Sequence, residues 1–205
     1  MAGLREQWRR TAMHTIQERA LDLFDERGFA AVTIEEIAAA AGVSPSSVYR
    51  YFGTKEGLVV ADEFDTMSPQ AIDGLLDPAD PVGSLLEAVR RYESPREEPT
   101  ASEGLPTPEP ISWRRVRYFI AEPSVRMAAF ASLDAAARRI APLLTSANGL
   151  SPSQARVAAN AIAFGYFAAL ESWFDDGGSR PIAHYVEEGL RPLRSIWSSG
   201  GHALS

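Results

Sequence analysis

The residues best placed to do chemistry lie between positions 44 and 55. Pro45, Ser46, Ser47, Tyr49, Arg50 and Tyr51 sit on the outer faces of a short helix beginning after Ser44, with Val48 and Phe52 left to face inward. Hydroxyls and free N–H groups at a helix start suit phosphate oxygens or base edges, and Arg50 can reach a guanine edge. Lys55 follows at the start of another helix, where a cation opposes the dipole and no partner is visible in the sequence; that supports a phosphate role. The alternatives for these residues are ordinary: Tyr49 in packing, Arg50 solvated, Lys55 a plain helix-start residue.

Catalytic groupings are harder to find. There is no cysteine, and the three histidines, His14, His184 and His202, are far apart, which disfavours a thiolate nucleophile or a metal site. Neither paired carboxylates on one helical face, nor a nucleotide-binding glycine loop, nor a Ser/His/Asp arrangement can be placed. We expect no enzyme, no cofactor and no metal.

The 205 residues are 45% hydrophobic and 23% charged, with a formal net charge of −7. No apolar run reaches the ~18–20 residues of a membrane span, and residues 1–15 lack the apolar core of a signal peptide; a soluble cytoplasmic protein is expected. Of the 20 basic residues 19 are arginine, and the acidic excess falls mostly after residue 57. Any nucleic-acid contact must therefore be a local constellation in the first quarter of the chain.

Periodicity is helical throughout, so the expected class is all-α. Ile16, Ala20, Leu21, Leu23 and Phe24 pattern a helix over 12–27, stopped by Gly28. Thr33 and Glu36 form a capping-box pair opening a helix through Ala41. Gly42 supplies the positive φ of a tight turn, small Ala38 lets the helices cross closely, and Ser44-Pro45 starts the third helix, which ends at about Phe52. Further helices are predicted over 55–67, 69–76, 82–93, 111–121, 124–146, 152–175 and 180–197. Residues 94–110, with five prolines and four glutamates, read as a flexible loop.

The stretch IQERALDLFDERGFAAVTIEEIAAAAGVSPSSVYRYFGTKEGL, residues 16–58, resembles the N-terminal DNA-binding domain of the TetR family of transcriptional regulators. The Leu-Phe, Gly-Phe, Ile-Ala, Ala-Gly-Val-Ser, Tyr-x-Tyr-Phe and Lys-Glu landmarks appear in order and at the usual spacing. The resemblance implies a three-helix helix-turn-helix domain over 1–57 and a helical bundle over 58–205 for effector binding and dimerisation. It makes Thr33 and Lys55 phosphate contacts, and Ser47, Tyr49 and Tyr51 backbone or base contacts. Pro45, Ser46 and Arg50 fall where the family varies its base readout. Two departures stand out: Ser46-Ser47 replaces a frequent Gly-Thr, and Met13 replaces a frequent basic residue, leaving phosphate anchoring by the first helix to Arg9 and Arg10.

For the bundle, Ala158, Ala161, Ile162, Gly165, Ala169, Tyr185 and Leu193 are candidates for a two-fold four-helix interface; intramolecular core is the competing reading. Phe64, Met67, Trp113, Tyr118, Met127 and Phe130 could line an apolar cavity, although aromatics and methionine at helical spacing also build plain core. This region more loosely resembles the subgroup of acyl-CoA-like ligand-binding regulators, which implies a fatty-acyl or acyl-CoA-like effector with Arg114, Arg115 or Arg117 at its charged head. The expected partners are a double-stranded, palindromic DNA operator, a small apolar effector and a second copy of the chain, with no membrane. The expected function is a ligand-responsive repressor. The rivals are an effector-free DNA-binding module controlled by a partner protein, and a helical-bundle enzyme.

Overall fold

The computed structural model describes residues 2–61, 72, 74–93, 111–148 and 150–199, with side chains left undescribed at 2–7, 92, 111–113, 147–148 and 195–199. Every regular element among the described residues is helical: α1 (Ala2–Arg27), a single 3-10 turn (Phe29–Ala31), α2 (Ile34–Ala40), α3 (Pro45–Phe52), α4 (Lys55–Val60), α5 (Pro81–Glu93), α6 (Ile111–Ala121), α7 (Pro123–Asn148), α8 (Pro152–Asp175) and α9 (Ile182–Ser199). Two compact units emerge, one of Met1–Ala61 with Arg117–Ala129, the other of Asp62–Val116 with Phe130–Ser205.

In the first unit the chain follows its capping chemistry. Thr33 accepts from the Glu36 amide while the Glu36 carboxylate takes the Thr33 amide, so two of the free donors at the α2 start are satisfied reciprocally. Gly42 turns the chain at φ 66°, a conformation that a Cβ makes costly. Ser44 then caps α3 by accepting from the Ser47 amide, with Pro45 in the first turn. Val48 is fully buried and Phe52 nearly so, as are Ile37 and Ala38 of α2 and Ile16, Ala20, Leu21 and Phe24 of α1. Each of the Val, Ile, Leu and Phe side chains contributes about 1.5–3 kcal/mol on burial, so the apolar stripe, more than intrinsic propensity, holds these short helices.

Three boundaries depart from expectation. α1 begins at Ala2, ten residues before the predicted start. Its first turns carry no apolar stripe, so periodicity is blind to them, whereas alanine, leucine, arginine, glutamate and glutamine are strong helix formers. The 3-10 turn after Gly28 was not expected; it tucks Phe29 into the core. α4 ends at Val60, because Ala61 has ψ 132°, so the predicted helix over 55–67 stops there as far as it is described. Gln17 ties off that end, its Nε2 donating to the carbonyls of Leu58 and Ala61 at 3.1 and 2.8 Å. Of the predicted helix over 69–76, Ile72 is helical while Gly74 and Leu75 form a turn closed by the Leu75 and Leu76 amides on the Ile72 carbonyl; the other residues of that stretch and the loop over 94–110 lie outside the described residues.

In the second unit, α7 and α8 pack through an alanine seam of Ala137, Ala141, Ala155, Ala159 and Ala163 around Leu144. α8 packs more extensively on α9. Its capping box of Ser151 and Gln154 starts the helix, and Trp173 fastens its far end by donating from Nε1 to the Arg180 carbonyl at 2.9 Å.

Candidate nucleic-acid interface

The outward face of α3 is assembled by its cap. The Ser44 hydroxyl shares 2.9 Å hydrogen bonds with both Ser46 and Ser47, which groups three hydroxyls at the positive end of the helix. One turn on, Tyr49 is 49% exposed, with Arg50 beside it. The Arg50 guanidinium lies 4.9 Å from the Tyr51 ring centre and donates to the Tyr51 hydroxyl at 3.3 Å. Stacking of this kind restricts a long side chain before any ligand arrives. Tyr51 itself is half-buried and leans toward α1, not fully outward as the sequence pattern indicates.

Lys55 corrects a sequence argument. Its ammonium donates to the carbonyls of Phe29 and Val32 at 2.8 and 3.1 Å and lies 4.5 Å from the Phe29 ring centre. The cation at the α4 start is therefore partnered, by the 3-10 turn that the sequence did not disclose. Of its three N–H donors one remains beyond these two bonds.

Thr33 is engaged as well. Its hydroxyl and its amide each donate to Glu36 Oε2 at 2.9 Å, and Arg27 pairs with the other carboxylate oxygen at 2.8 Å. The Thr33 amide, the Arg27 guanidinium and the Thr33 hydroxyl together hold the Glu36 carboxyl down at about 2. A phosphate reaching Thr33 meets this carboxylate first. Arg9, on α1, directs Nη1 to the Met13 sulfur at 3.6 Å.

The residues expected to line an effector cavity are described only in part. Phe64 and Met67 lie outside the described residues, as does the Trp113 side chain. Tyr118 is buried in the first unit, where it stacks near Phe24 and Phe29 and donates to Asp25 Oδ1 at 2.7 Å; Arg117 pairs with the same carboxylate. Burial first, and then the Asp25 carboxylate, push the Tyr118 phenol up to about 12. Met127 is 65% exposed, because its position on α7 faces away from the core occupied by Val125 and Ala129. Phe130 packs on Phe164 and Phe167 at 5.6 and 5.0 Å between ring centres.

The interface candidates divide similarly. Ile162 and Ala169 are buried within the chain; Gly165 gives its missing side chain's place to Leu190 of α9, and Ala169 lies beside Gly189 of the same helix. Ala158 and Ala161 are half-buried, and Ala158 borders the alanine seam. Tyr185 bonds to Asp176 and Ser179 across the turn before α9, and Leu193 is half-buried. Val157, which sequence periodicity missed, and Phe164 are 67% and 37% exposed and form an outer face of α8 with Ala161 and Ala168. Gly57 was missed too: a Cβ there would stand 2.0 Å from the Phe52 carbonyl oxygen. Its only sequence signal was a glycine inside a helix start.

Comparison with known proteins places this geometry. Residues 16–61 match the family described as bacterial regulatory proteins, tetR family. A transcriptional regulator of Mycobacterium tuberculosis, MftR, is 37% identical over 82 residues, 40% of this chain and 40% of that protein. The Escherichia coli HTH-type transcriptional repressor BdcR is 35% identical over 91 residues, 41% of this chain and 46% of that protein. The chain thus matches less than half the length of either relative. In fold it resembles NalD of Pseudomonas aeruginosa, a secondary repressor of a multidrug efflux pump, with TM-score 0.51 and 21% identity over 90% of this chain and 96% of that one. Among the described residues no helix is long and apolar enough to cross a membrane, and no group of three potential metal ligands occurs.

Proposed function

With a TetR-family N-terminal domain in residues 16–61, we propose that this chain is a DNA-binding transcriptional regulator, a repressor that engages a palindromic operator as a homodimer. The observation that carries the reading is α3: Val48 and Phe52 anchor it while Ser46, Tyr49 and the Tyr51-stacked Arg50 stand outward. In this reading Arg50 and Ser46 read base edges, Ser47 and Tyr49 hold the backbone, and Lys55 gives its remaining N–H to a phosphate. Thr33 joins only when a phosphate displaces the Glu36 carboxylate.

Residues 58–205 serve dimerisation and effector binding. The outer face of α8, Val157, Ala161, Phe164 and Ala168, repeats every three or four residues and is the stripe we assign to the second copy. The effector is apolar, fatty-acyl or acyl-CoA-like, and acts next to the Phe130 cluster. It shifts the dimer toward a half-site spacing that no longer matches the operator, so ligand and DNA weaken each other reciprocally.

Selection of duplexes from a random library by the purified protein tests this. A palindrome with half-sites about one helical turn apart is expected, released by long-chain acyl-CoA. Folded, dimeric protein that enriches no sequence, with or without metabolite extract, overturns it.

A further inference from the structure

We propose that His184 is a proton-operated fastener of the connector between α8 and α9, and that acid releases it and weakens the pairing of two copies of the chain. The inference rests on the homodimer reading above and adds its regulation.

One ring nitrogen faces two opposite partners. His184 Nε2 lies 2.7 Å from Arg180 Nη1 and 3.6 Å from Glu188 Oε2. A guanidinium has donors only, so the shorter contact requires a lone pair on Nε2: the ring is neutral and carries its proton on Nδ1. A second proton must go onto Nε2, where it meets the guanidinium. Arg180 is then expelled, and the imidazolium takes Glu188 instead. Imidazole makes this change of charge between about pH 5 and 8. The His184 and Glu188 side chains are 41% and 64% exposed, so protons reach them without unfolding.

The neighbours hold their state over that range. Asp176, at the α8 end, accepts from the Ser179 and Tyr185 hydroxyls, which keep its carboxyl below the usual carboxylate range. The Tyr185 ring meets the imidazole edge-on, 5.4 Å between centres. From α5, Glu93 accepts from the Ile182 and Ala183 amides, and Arg90 pairs with Glu187 at 3.2 Å.

The neutral ring secures the connector. At backbone level the connector is held by Trp173, whose Nε1 donates to the Arg180 carbonyl. The Arg180 side chain adds a second hold, onto the first turn of α9. The exposed α8 stripe assigned to the second copy continues in steps of four from Phe164 and Ala168 through Ser172 to Asp176, so the connector closes that face. Protonation removes the second hold and loosens the connector. Proton and second copy then weaken each other reciprocally.

The test uses the full-length protein. Heteronuclear NMR of the imidazole at about pH 8 should show His184 as the Nδ1–H tautomer, turning to imidazolium on acidification; an Nε2–H tautomer overturns the proposal. By sedimentation, the dimer dissociation constant should be about tenfold higher at about pH 5.5 than at about pH 8, one hydrogen bond being lost from each copy. His184→Gln, whose side-chain oxygen still accepts from Arg180, should pair tightly at both pH values. His184→Lys, a fixed cation, should pair weakly at both, and so should Arg180→Ala. Circular dichroism should be unchanged in all three. The same pH response in wild type and His184→Gln overturns the proposal, since other groups then carry it. Wild-type protein that stays monomeric at both pH values overturns the homodimer reading, and this regulation with it.

Discussion

The Lys55 ammonium lies 2.8 Å from the carbonyl oxygen of Phe29 and 4.5 Å from the centre of its ring, so one cation at the α4 start holds the 3-10 turn that leads from α1 to α2. A lysine that sequence assigns to a phosphate is first of all a strut inside the domain. The two roles are compatible, since an ammonium has three donors, and a strut delivers the remaining one in a set direction.

Lys55→Met should separate them. Loss of two charge-assisted bonds to carbonyls should destabilise the chain by about 1–3 kcal/mol, read as a lower urea midpoint at unchanged m-value. DNA binding should weaken with a salt slope smaller by about one. Destabilisation with an unaltered slope leaves Lys55 as a strut only.

Arg50→Ala should abolish operator preference while the thermal midpoint stays close to wild type, because the side chain is exposed and its partners are on the surface. Tyr51→Phe, which removes only the hydroxyl that accepts from Arg50, should relax preference partway. Enrichment of the same palindrome by Arg50→Ala would sink base readout at this position.

Glu36 makes stability depend on acid. Its carboxyl is held at about 2 in the folded chain against an ordinary 4.5, so between these values the unfolded chain binds more protons. Its contribution is complete above about pH 4.5 and fades as pH falls toward about 2. Glu36→Gln should flatten that part of the pH–stability curve in urea titrations. Equal slopes for both proteins would show that other carboxyls dominate.

Gly57→Ala should be severe, although alanine is the better helix former by ~1 kcal/mol. The added carbon would stand 2.0 Å from a backbone oxygen of Phe52, which cannot move without breaking the α3–α4 corner. We expect a loss of more than about 2 kcal/mol, with DNA binding reduced in step. Wild-type stability would mean that the corner yields.

What is legible in a sequence is what is local. Thr33 with Glu36, Gly42, and Ser44 with Pro45 act within one turn of the chain, so the helices they delimit appear where their chemistry puts them. Val48 and Phe52 face inward for the same reason, and the face left over is the candidate interface. Whether a polar or aromatic side chain is already engaged is not local. Lys55 meets Phe29 across 26 positions, and Tyr118 meets Asp25 across 93; no periodicity encodes either pair. An aromatic such as Tyr118 has the same spacing signature in a cavity wall as in a packed core. Ile162 and Val157 likewise lie on the same helix with similar hydrophobicity, one buried and one exposed. The sequence by itself determined an all-helical chain with a helix-turn-helix near its start, because caps, turns and apolar stripes are short-range. Only the tertiary structure decided which of its cations, aromatics and small residues are spent on the fold, because that depends on what distant segments bring beside them.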